Sequence, residues 1–454
     1  MRERLHLRPD QRREAGGGHL SRCLSLGIAW CRWGGTATVE DGAMGGLWRD
    51  RYASAGIDVV SVPEAGGWTV LDDYHTTIDD QREAVAAGGA VVIDDHVSLG
   101  SYEADVVVDQ NAGSRVQDYP VEPSTLVLAG LAYAMLRPEF ASASHRLGAV
   151  PPDARRVVLS LGAAPHEQDR AVIKEVGEAL RVNGYEVDDL VGAEHVAEHL
   201  AAAQLAVAAC GTTAYELCCV GTPALLVAVA DNQEPVGMAV DSLGAATYAG
   251  RLRDLTASSL AREALTLAAD HERRSVMATR GRSLVDGLGA RRVVAALRSR
   301  DIRLRPAVRD DARLLWEWAN DPDVRRFAFH PEPIAWDDHL HWLDDRLSRD
   351  DSLIYVAELD GAHIGQVRFD LAGDQAIISY SLSVRWRGRG LGSALLVAGV
   401  TRLQDDRPGT RVAGDVLAVN EASHRSFDLA GFRPVSGDRE VVRWALPSST
   451  EVMS

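Results

Sequence analysis

Short runs of aliphatic and β-branched residues alternate with helical segments through most of residues 1–280. The clearest strand candidates are residues 91–93, 106–108, 157–160 and 224–227, and Ala-rich amphipathic stretches such as 170–182 follow several of them. Strands that alternate with helices in this way favour parallel sheets covered by helices on their faces. We therefore predict an α/β fold with two groups of parallel strands covered by helices in this part of the chain.

Proline residues and changes of sequence pattern along the chain predict three compact units. Pro151-Pro152 within residues 142–152 indicates an interdomain connection. A long helical region, 255–298, precedes a second start at Asp301, where residues 301–319 are typical of a strand, a turn and an amphipathic helix. A chain of 454 residues at ~150 residues per domain also gives about three. We predict domains at 1–145, 146–297 and 301–447.

Composition narrows the function classes. Apolar residues make up 46%, charged residues 25%, and the net charge is -17, which is unsuited to general binding of nucleic acid or an anionic membrane. Backbone N–H groups at helix starts still allow an acidic protein to bind a diphosphate. The five cysteines show no metal-ligand or disulfide spacing, and no signal peptide or membrane-spanning run is found. We expect a cytoplasmic protein without a metal cofactor.

A glycine loop that ends in a histidine is the first candidate site. Gly16, Gly17 and Gly18 precede His19 and a helical run. Glycines there permit positive φ and close approach of a ligand, and the helix start offers unpaired N–H groups to an anion. At that positive end a neutral His19 is suited to accept a proton. The alternative is an ordinary surface or core histidine.

A second candidate site lies in residues 204–233. Gly211-Thr212-Thr213 at a helix start is a candidate phosphate cradle. Glu216 can accept hydrogen bonds from two ribose hydroxyls. Asn232-Gln233 follows the next buried strand. The structural alternative makes Thr212-Thr213 a helix cap and Glu216 a solvated helix residue.

Together these motifs resemble a known family over residues 1–280. The family is the UDP-2,4-diacetamido-2,4,6-trideoxy-β-L-altropyranose hydrolases of pseudaminic acid biosynthesis, which are themselves similar to the two-Rossmann, GT-B glycosyltransferases of peptidoglycan synthesis. The matching motifs are Arg8-x-Asp10, Gly16-Gly17-Gly18-His19 with Arg22-Cys23, Asp72-Asp73-Tyr74, Ile93-Asp94-Asp95, Val108-Asp109-Gln110-Asn111, residues 133–140, Gly211-Thr212-Thr213-x-x-Glu216 and Asn232-Gln233.

The resemblance implies hydrolysis of a UDP-sugar at the anomeric carbon with release of UDP. His19 would be the base that activates water, and Glu216 would hold the ribose. The other implied substrate and UDP contacts are Arg8, Asp10, Gly17, Gly18, Tyr74, Asp94, Gly211, Thr212, Thr213, Asn232 and Gln233. One departure is Gly162-Ala163-Ala164-Pro165, where the family usually has a second glycine and an acid. That departure leaves the identity of the sugar open.

A third motif lies in the last third of the chain. Residues 387–392 form an R-x-x-G-x-G loop that opens an apolar-faced helix, and Asn420-x-x-Ser423 and Ala430-Gly431-Phe432 follow. A bare glycine loop also occurs in dinucleotide folds. No acidic residue follows at the ~20-residue spacing expected for a ribose contact, which disfavours that alternative.

This combination resembles the GNAT acetyltransferases over residues 301–446, and among them the N-acetyltransferase of the same pseudaminic pathway. The resemblance implies acetyl-CoA as co-substrate. Its implied contacts are Val384, Arg387, Arg389, Gly390, Gly392, Ser393, Asn420 and Ser423, and the acceptor-site candidates are Asn320, Arg325 and His339. Phe427 fills the slot where many family members place a tyrosine acid. Without that tyrosine, His339 or water would supply the proton. The structural alternative for Phe427 is that it only packs in the core.

The two resemblances combine into one hypothesis, a bifunctional enzyme that acetylates a UDP-4-amino sugar and then removes UDP. Three alternatives stay open: a glycosyltransferase that uses an acceptor alcohol, the same chemistry on a different nucleotide-linked amino sugar in secondary metabolism, and a nucleotide-sensing N-terminal module that regulates the acetyltransferase. His19→Ala would abolish hydrolysis in the preferred interpretation and leave a sensing module's function intact.

Overall fold

The computed structural model describes residues 2–12, 17–62, 64–144, 148–162, 166–191 and 193–447. The chain folds into two compact units, Arg4–Ala290, and Arg291–Ser454 with Met1–Glu3. The division falls inside one helix, Gly289–Ser299. The three-domain boundaries from the sequence stay a prediction.

The first sheet of the N-terminal unit has seven parallel strands in the order β3-β2-β1-β4-β5-β6-β7. The strands are β1 Arg4–Pro9, β2 Thr36–Glu40, β3 Asp58–Val60, β4 Trp68–Asp72, β5 Ala90–Ile93, β6 Val106–Asp109 and β7 Leu126–Ala129. Its helices are α1 Gly18–Arg32, α2 Gly46–Ser54, α3 Ile78–Ala87 and α4 Pro138–Ser144. A parallel order that reverses beside β1 is the Rossmann-like arrangement.

The second sheet has five parallel strands in the order β12-β11-β10-β8-β9. They are β8 Arg156–Ser160, β9 Glu186–Asp189, β10 Leu205–Ala209, β11 Ala224–Ala228 and β12 Thr247–Arg251. The helices are α5 Glu167–Val182, α6 Val196–Ala202, α7 Thr212–Val220, α8 Glu234–Ser242, α9 Ala257–Ala269, α10 His271–Leu284 and α11 Gly289–Ser299. The prediction of a parallel-sheet, Rossmann-like N-terminal region is confirmed.

Burial explains why these runs become central strands. Every residue of β5, β6, β10 and β11 is buried. Strands covered by helices on both faces read as continuous aliphatic runs because neither face is left for water. Helix α5, in contrast, is amphipathic and buries only one face. It packs Ile173, Val176 and Leu180 against the β8–β10 layer and leaves its charged face exposed.

The C-terminal unit has a seven-stranded mixed sheet in the order β13-β14-β15-β16-β17-β19-β18. The strands are β13 Arg303–Pro306, β14 Ser352–Leu359, β15 Ala362–Ala372, β16 Gln375–Leu382, β17 Arg411–Leu417, β18 Arg433–Gly437 and β19 Val441–Ala445. The helices are α12 Ala312–Ala319, α13 Pro322–Arg326, α14 Trp336–Leu347, α15 Leu391–Asp406 and α16 Glu421–Leu429. The strand and helix predicted within residues 301–319 and the helix predicted after the glycine loop 387–392 are confirmed.

The parallel strands β16 and β17 separate within this sheet. They pair only where residues 375–377 meet 411–413, although β16 continues to Leu382 and β17 to Leu417. Beyond those residues the backbone N–H and C=O groups of β16 and β17 do not pair with each other. The gap between the two strands can therefore accept an extended, amide-bearing molecule.

Within the described part of the chain, no helix combines the length and apolarity required to cross a membrane. All five cysteines are free thiols.

Candidate functional site

A cleft of about 1640 Å³ opens in the N-terminal unit. Residues that line it follow the carboxyl ends of strands in both sheets: Asp10 after β1, Tyr74 after β4, Gln110 after β6, Gly211 after β10 and Ala230 after β11. Ligands of open parallel sheets bind at this edge because loops and helix starts converge there. The cleft is therefore the candidate site of this unit.

His19 lies in the first turn of α1 and its imidazole is 3% exposed. Its Nδ1 lies 2.6 Å from Oδ1 of Asp72 and 3.0 Å from the Asp72 carbonyl oxygen. Both of these partners are acceptors, so Nδ1 carries a hydrogen toward Asp72, and the Arg22 Nη2 lies 3.2 Å from the same nitrogen. The sequence argument relied on the helix start; the structure adds a buried carboxylate that orients the ring through Nδ1.

Arg22 joins this pair to a second carboxylate. Its guanidinium donates to Asp72 at 2.7 Å and to Asp95 at 2.8 Å. Burial disfavours ionised Asp72, but the charge of Arg22 and hydrogen bonds from Arg22 and His19 outweigh it and hold the pKa of Asp72 well below its ordinary value. Asp72 therefore stays a carboxylate and keeps accepting the His19 hydrogen.

Two imidazoles contact Tyr74 in the cleft. The Tyr74 ring centroid lies 4.7 Å from that of His19 and 5.3 Å from that of His96. Burial raises the pKa of Tyr74 to about 12, so its hydroxyl stays protonated at neutral pH. His96 precedes Val97, whose φ of 50° is a strained conformation for a β-branched residue.

The described glycines before α1 serve close approach rather than positive φ. Gly17 caps α1 with φ of −89°, and Gly18 is not among the residues with positive φ. A Cβ on Gly18 would lie 3.2 Å from Oγ1 of Thr212, so this loop and the start of α7 approach each other closely. The prediction of positive φ is thus wrong for Gly17 and Gly18, and Gly16 lies outside the described residues.

The start of α7 is open to the cleft. Gly211 is the N-cap and makes no side-chain cap hydrogen bond, while Thr212 and Thr213 are the first helical residues. All three line the cleft. The interpretation of the threonines as a side-chain cap is therefore wrong, and the first amides of α7 face the cavity as an anion site would require.

Glu216 lies one turn further along α7 and lines the same cleft, with 7% of its surface exposed. Burial raises its pKa to about 7, against the attraction of Arg137, whose Nη2 lies 3.9 Å from Oε1. The interpretation of Glu216 as a solvated helix residue is wrong. A buried carboxyl beside one arginine can accept hydrogen bonds from a diol once it is ionised.

Asn232 and Gln233 form a short helical turn, Asp231–Gln233, at the cleft. The Asn232 Nδ2 donates to the Tyr74 hydroxyl at 3.4 Å, and the Gln233 Oε1 accepts from Val229 N at 3.1 Å. His19, Tyr74 and Asn232 thus form one continuous set of contacts.

Two residues predicted for the substrate pocket lie elsewhere. Arg8 does not line the cleft; its guanidinium is 3.6 Å from both Glu40 and Asp80. Asp94 is also absent from the lining, because its carboxylate accepts hydrogen bonds from His96 N, Ser98 and the Tyr102 hydroxyl. The following residue, Asp95, lines the cleft instead.

Asp10 does line the cleft, but Arg12 occupies its carboxylate through the backbone N–H and Nε, both at 2.9 Å. The departure from the family pattern after Gly162 falls on residues 163–165, which lie outside the described residues.

In the C-terminal unit a glycine loop precedes α15. Gly388 and Gly390 have φ of 71° and 68°, a conformation that favours glycine. Gly392 is in the first turn, where a Cβ would lie 2.5 Å from Ser426 Oγ. The loop therefore brings backbone amides close to the start of a helix, where they can bind phosphate.

The side chains around this loop divide into two groups. Val384 is 62% exposed, and the Arg389 guanidinium stacks on Trp386 at 5.1 Å and donates no hydrogen bond to the residues that the structure describes. Arg387 instead donates to the Leu382 carbonyl at 3.0 Å and pairs with Asp321 at 2.7 Å, and the buried Ser393 hydroxyl donates to Gly390 O. Side-chain contacts of Arg387 and Ser393 with coenzyme are thus disfavoured.

Asn420 caps α16, since its Oδ1 accepts from Ser423 N at 3.1 Å. The Tyr380 phenol interacts with the Ser423 and Ser426 hydroxyls, and burial raises its pKa. Phe427 is 2% exposed and packs edge-on to Phe432, with ring centroids 4.9 Å apart. The interpretation of Phe427 as a core residue is confirmed.

The three acceptor-site candidates are engaged internally. The Asn320 side chain closes a loop through both backbone groups of Ile334, at 2.7 and 3.1 Å. Arg325 donates to the His330 carbonyl at 3.0 Å. His339 is 2% exposed between Trp336 and Trp342. The structure therefore corrects these predictions: Asn320 and Arg325 shape the loop 327–334, and His339 belongs to the core.

Sequence reasoning missed several cleft residues. They are Arg22, Asp95, His96, Trp48, Arg51 and Arg137, and sequence reasoning also missed the contact of the buried Asp72 with His19. Asp72, Asp95, Arg22 and Arg137 lie inside the recognisable motifs, so strand adjacency was the signal that could have assigned them. Trp48 and Arg51 carry no such signal.

No cluster of three or more His, Cys, Asp or Glu side chains suited to a metal ion occurs among the described residues.

Fold and site together define an α/β protein with a Rossmann-like N-terminal region and a separate C-terminal unit of acyltransferase type. Residues 301–433 match the family model for the acetyltransferase (GNAT) domain. The chain therefore carries a GNAT acetyltransferase domain. Among curated proteins none matches the chain.

Several solved structures share similarity with about a third of the chain. An aminoglycoside acetyltransferase, AAC(6')-Ib, in complex with ribostamycin and coenzyme A is 22% identical over 32% of this chain and 92% of its own, with a TM-score of 0.29. Spermidine N-acetyltransferase from Vibrio cholerae in complex with CoA and spermine is 14% identical over 34% and 99%, with a TM-score of 0.30. A domain from Methanocaldococcus jannaschii is 20% identical over 32% and 98%, with a TM-score of 0.28. Scores this low leave the acceptor open.

Proposed function

We propose that the chain is a bifunctional enzyme of nucleotide-sugar metabolism. Its GNAT domain transfers acetyl from acetyl-CoA to the 4-amino group of a UDP-linked amino sugar. Its N-terminal unit, of GT-B type, hydrolyses the resulting UDP-diacetamido sugar at the anomeric carbon, as in pseudaminic acid biosynthesis. The product of one half would be the substrate of the other, which fits their fusion in one chain.

One observation carries the hydrolase half of the proposal: His19, oriented by Asp72, faces the same cleft as Thr212, Glu216 and Asn232. In the proposed reaction Nε2 of His19 takes a proton from water while the water oxygen bonds to the anomeric carbon. The bond from that carbon to the diphosphate oxygen breaks, and its electron pair leaves with UDP. The first amides of α7 would stabilise the departing diphosphate, and Glu216 would hold the ribose.

The acetyl-transfer half of the proposal is supported by the glycine loop at α15 and the separated strands β16 and β17. Amides of Gly390 and Gly392 would bind the pyrophosphate of acetyl-CoA, with Arg389 and Asn420 assisting. The acceptor amine gives a proton to water as its nitrogen bonds to the acetyl carbon. The carbon–sulfur bond breaks, and the departing thiolate takes a proton from water. Val384 and Ser423 stay proposed contacts.

The test uses the full chain with acetyl-CoA and UDP-4-amino-4,6-dideoxy-β-L-AltNAc, followed by mass spectrometry of the products. Release of both CoA and UDP without any acceptor alcohol supports the proposal, and absence of both refutes it. His19→Gln should stop UDP release and leave CoA release unchanged. His199→Gln, on α6 and outside the cleft lining, is the matched control and should retain both activities.

A further inference from the structure

An arginine without hydrogen-bond acceptors stands in the wall of the cleft. Arg51 of α2 lines the cavity, yet its guanidinium donates no hydrogen bond to any residue that the structure describes. Two other arginines of the lining differ: Arg12 is bound to Asp10 and Asp73, and Arg22 to Asp72 and Asp95. A half-buried guanidinium with five unused donors is costly unless a ligand supplies acceptors.

Arg51 is held in place by an aromatic ring. Its Cζ lies 4.9 Å from the centroid of Trp48, one turn earlier on α2, and Trp48 also lines the cleft. Stacking fixes the plane of the guanidinium while its N–H edge stays available. The side chain is therefore ordered for binding before any ligand arrives.

A second arginine, Arg137, lines the same cavity. Burial, and then the positive charge of Arg137, lower the pKa of Arg51. Arg137 pairs with Glu139 at 3.0 Å and approaches Glu216 at 3.9 Å, but its Nε is buried with no acceptor among the described residues. Both guanidinium groups thus keep unused donors beside one cavity.

The nearby carboxylates do not satisfy these donors. Glu139, Glu194 and Glu216 all act on Arg51 only through longer-range attraction, since none is within ion-pair distance of it. Burial raises the pKa of Glu216 to about 7, so this group is only partly ionised at neutral pH. An oxyanion from a ligand would satisfy the donors and remove the repulsion between the two arginines.

We propose that Arg51 and Arg137 form an oxyanion subsite that binds a phosphate of a nucleoside diphosphate in the cleft. The choice of phosphate rests on the proposed function, whereas the need for an oxyanion rests on the two arginines alone. This subsite is additional to the amides at the start of α7. It puts phosphate recognition on α2 and on the segment before α4, with Arg137 beside Glu216 of α7.

Calorimetric titration of the full chain with UDP, uridine and inorganic pyrophosphate tests the inference. Arg51→Gln should weaken UDP and pyrophosphate binding by about 10- to 100-fold, the range for lost charge-assisted hydrogen bonds, and leave uridine binding unchanged. Arg51→Lys keeps the charge without the planar fork and should fall between the two. Arg49→Gln, on the same helix and paired with Asp41 outside the lining, is the control and should bind all three ligands like the wild type.

The outcomes separate the inference from the proposed function. If UDP binds equally to Arg51→Gln and wild type, the inference is overturned while a uridine nucleotide site remains. If the wild type binds pyrophosphate through Arg51 but neither UDP nor uridine, the subsite stands and the UDP-sugar assignment fails. Absence of any phosphate binding overturns the inference. Because Arg51 is half-buried at a cleft wall, its variants should keep the wild-type melting temperature, which thermal unfolding checks.

Discussion

The buried carboxyl of Glu216 allows a quantitative test of the cleft's electrostatics that does not depend on any substrate. Its pKa rises from 4.5 to about 7 because burial penalises the charged form. At ~1.4 kcal/mol per pKa unit this corresponds to about 3 kcal/mol. Below pH 4.5 both states are protonated and the stabilising effect of the proton is complete. Between pH 4.5 and 7 only the unfolded chain ionises, so stability falls, and above pH 7 both states are ionised and the loss is constant.

Glu216→Gln removes this titration. The variant's free energy of unfolding, relative to the wild type, should therefore rise by about 3 kcal/mol between pH 4.5 and pH 8. Urea denaturation of the N-terminal unit in the full chain, followed by fluorescence of the buried Trp30 and Trp68, measures it. The variant also loses the contact with Arg137, but that loss is the same at every pH. It cancels because only the change in the free energy of unfolding with pH is compared.

The control is Glu198→Gln on α6, an exposed glutamate, which should follow the wild type at every pH. A difference between Glu216→Gln and wild type that stays constant within about 0.5 kcal/mol from pH 4.5 to pH 8 would refute the reasoning. It would mean that the carboxyl is already solvated or fully neutralised by Arg137 in the folded protein.

Three further predictions follow from single contacts. Burial, and then the charge of Arg8, lower the pKa of His6 to about 4. The free energy of unfolding should therefore fall by about 3 kcal/mol as the pH drops from 6.5 to 4. His6→Gln should abolish that pH dependence in acid titrations. Asp72→Asn should reduce the rate of UDP release by about 10²- to 10⁴-fold with little change in UDP affinity, since it releases the His19 tautomer; an unchanged kcat contradicts the role. Gly392→Val should lower thermal stability by about 1–3 kcal/mol and abolish CoA binding, because a Cβ would lie 2.5 Å from Ser426 Oγ; normal CoA affinity contradicts it.

The buried strands could be predicted from the sequence because a short run of residues is enough to indicate each of them. A run such as 224–227 has no polar face, so it can only be a strand covered on both sides, and β11 is that strand. The helix that follows the glycine loop 387–392 could also be predicted, whereas the positive φ of Gly388 and Gly390 is seen only in the structure.

Side-chain roles were less accessible because they depend on which polar partners already lie within reach. Asn320 and Arg325 look available in the sequence, yet backbone carbonyls in the loop 327–334 accept a hydrogen bond from each side chain. Arg387 is drawn away from the glycine loop by Asp321, in an ion pair that no local pattern encodes. Competition for hydrogen bonds inside the fold, rather than residue type, determines what these side chains contact.

Asp72 shows how far topology alone could carry the prediction. In the parallel register Pro9 lies beside Asp72, so the chain leaves β1 and β4 at the same edge of the sheet. Helix α1, which packs on both strands, begins above that edge. A histidine in its first turn therefore meets whatever residue ends β4, and a carboxylate there fixes the proton on Nδ1. Strand order brings two separate motifs together as one imidazole–carboxylate pair, whereas Arg51 lines the cleft from α2, a helix whose placement no strand register determines.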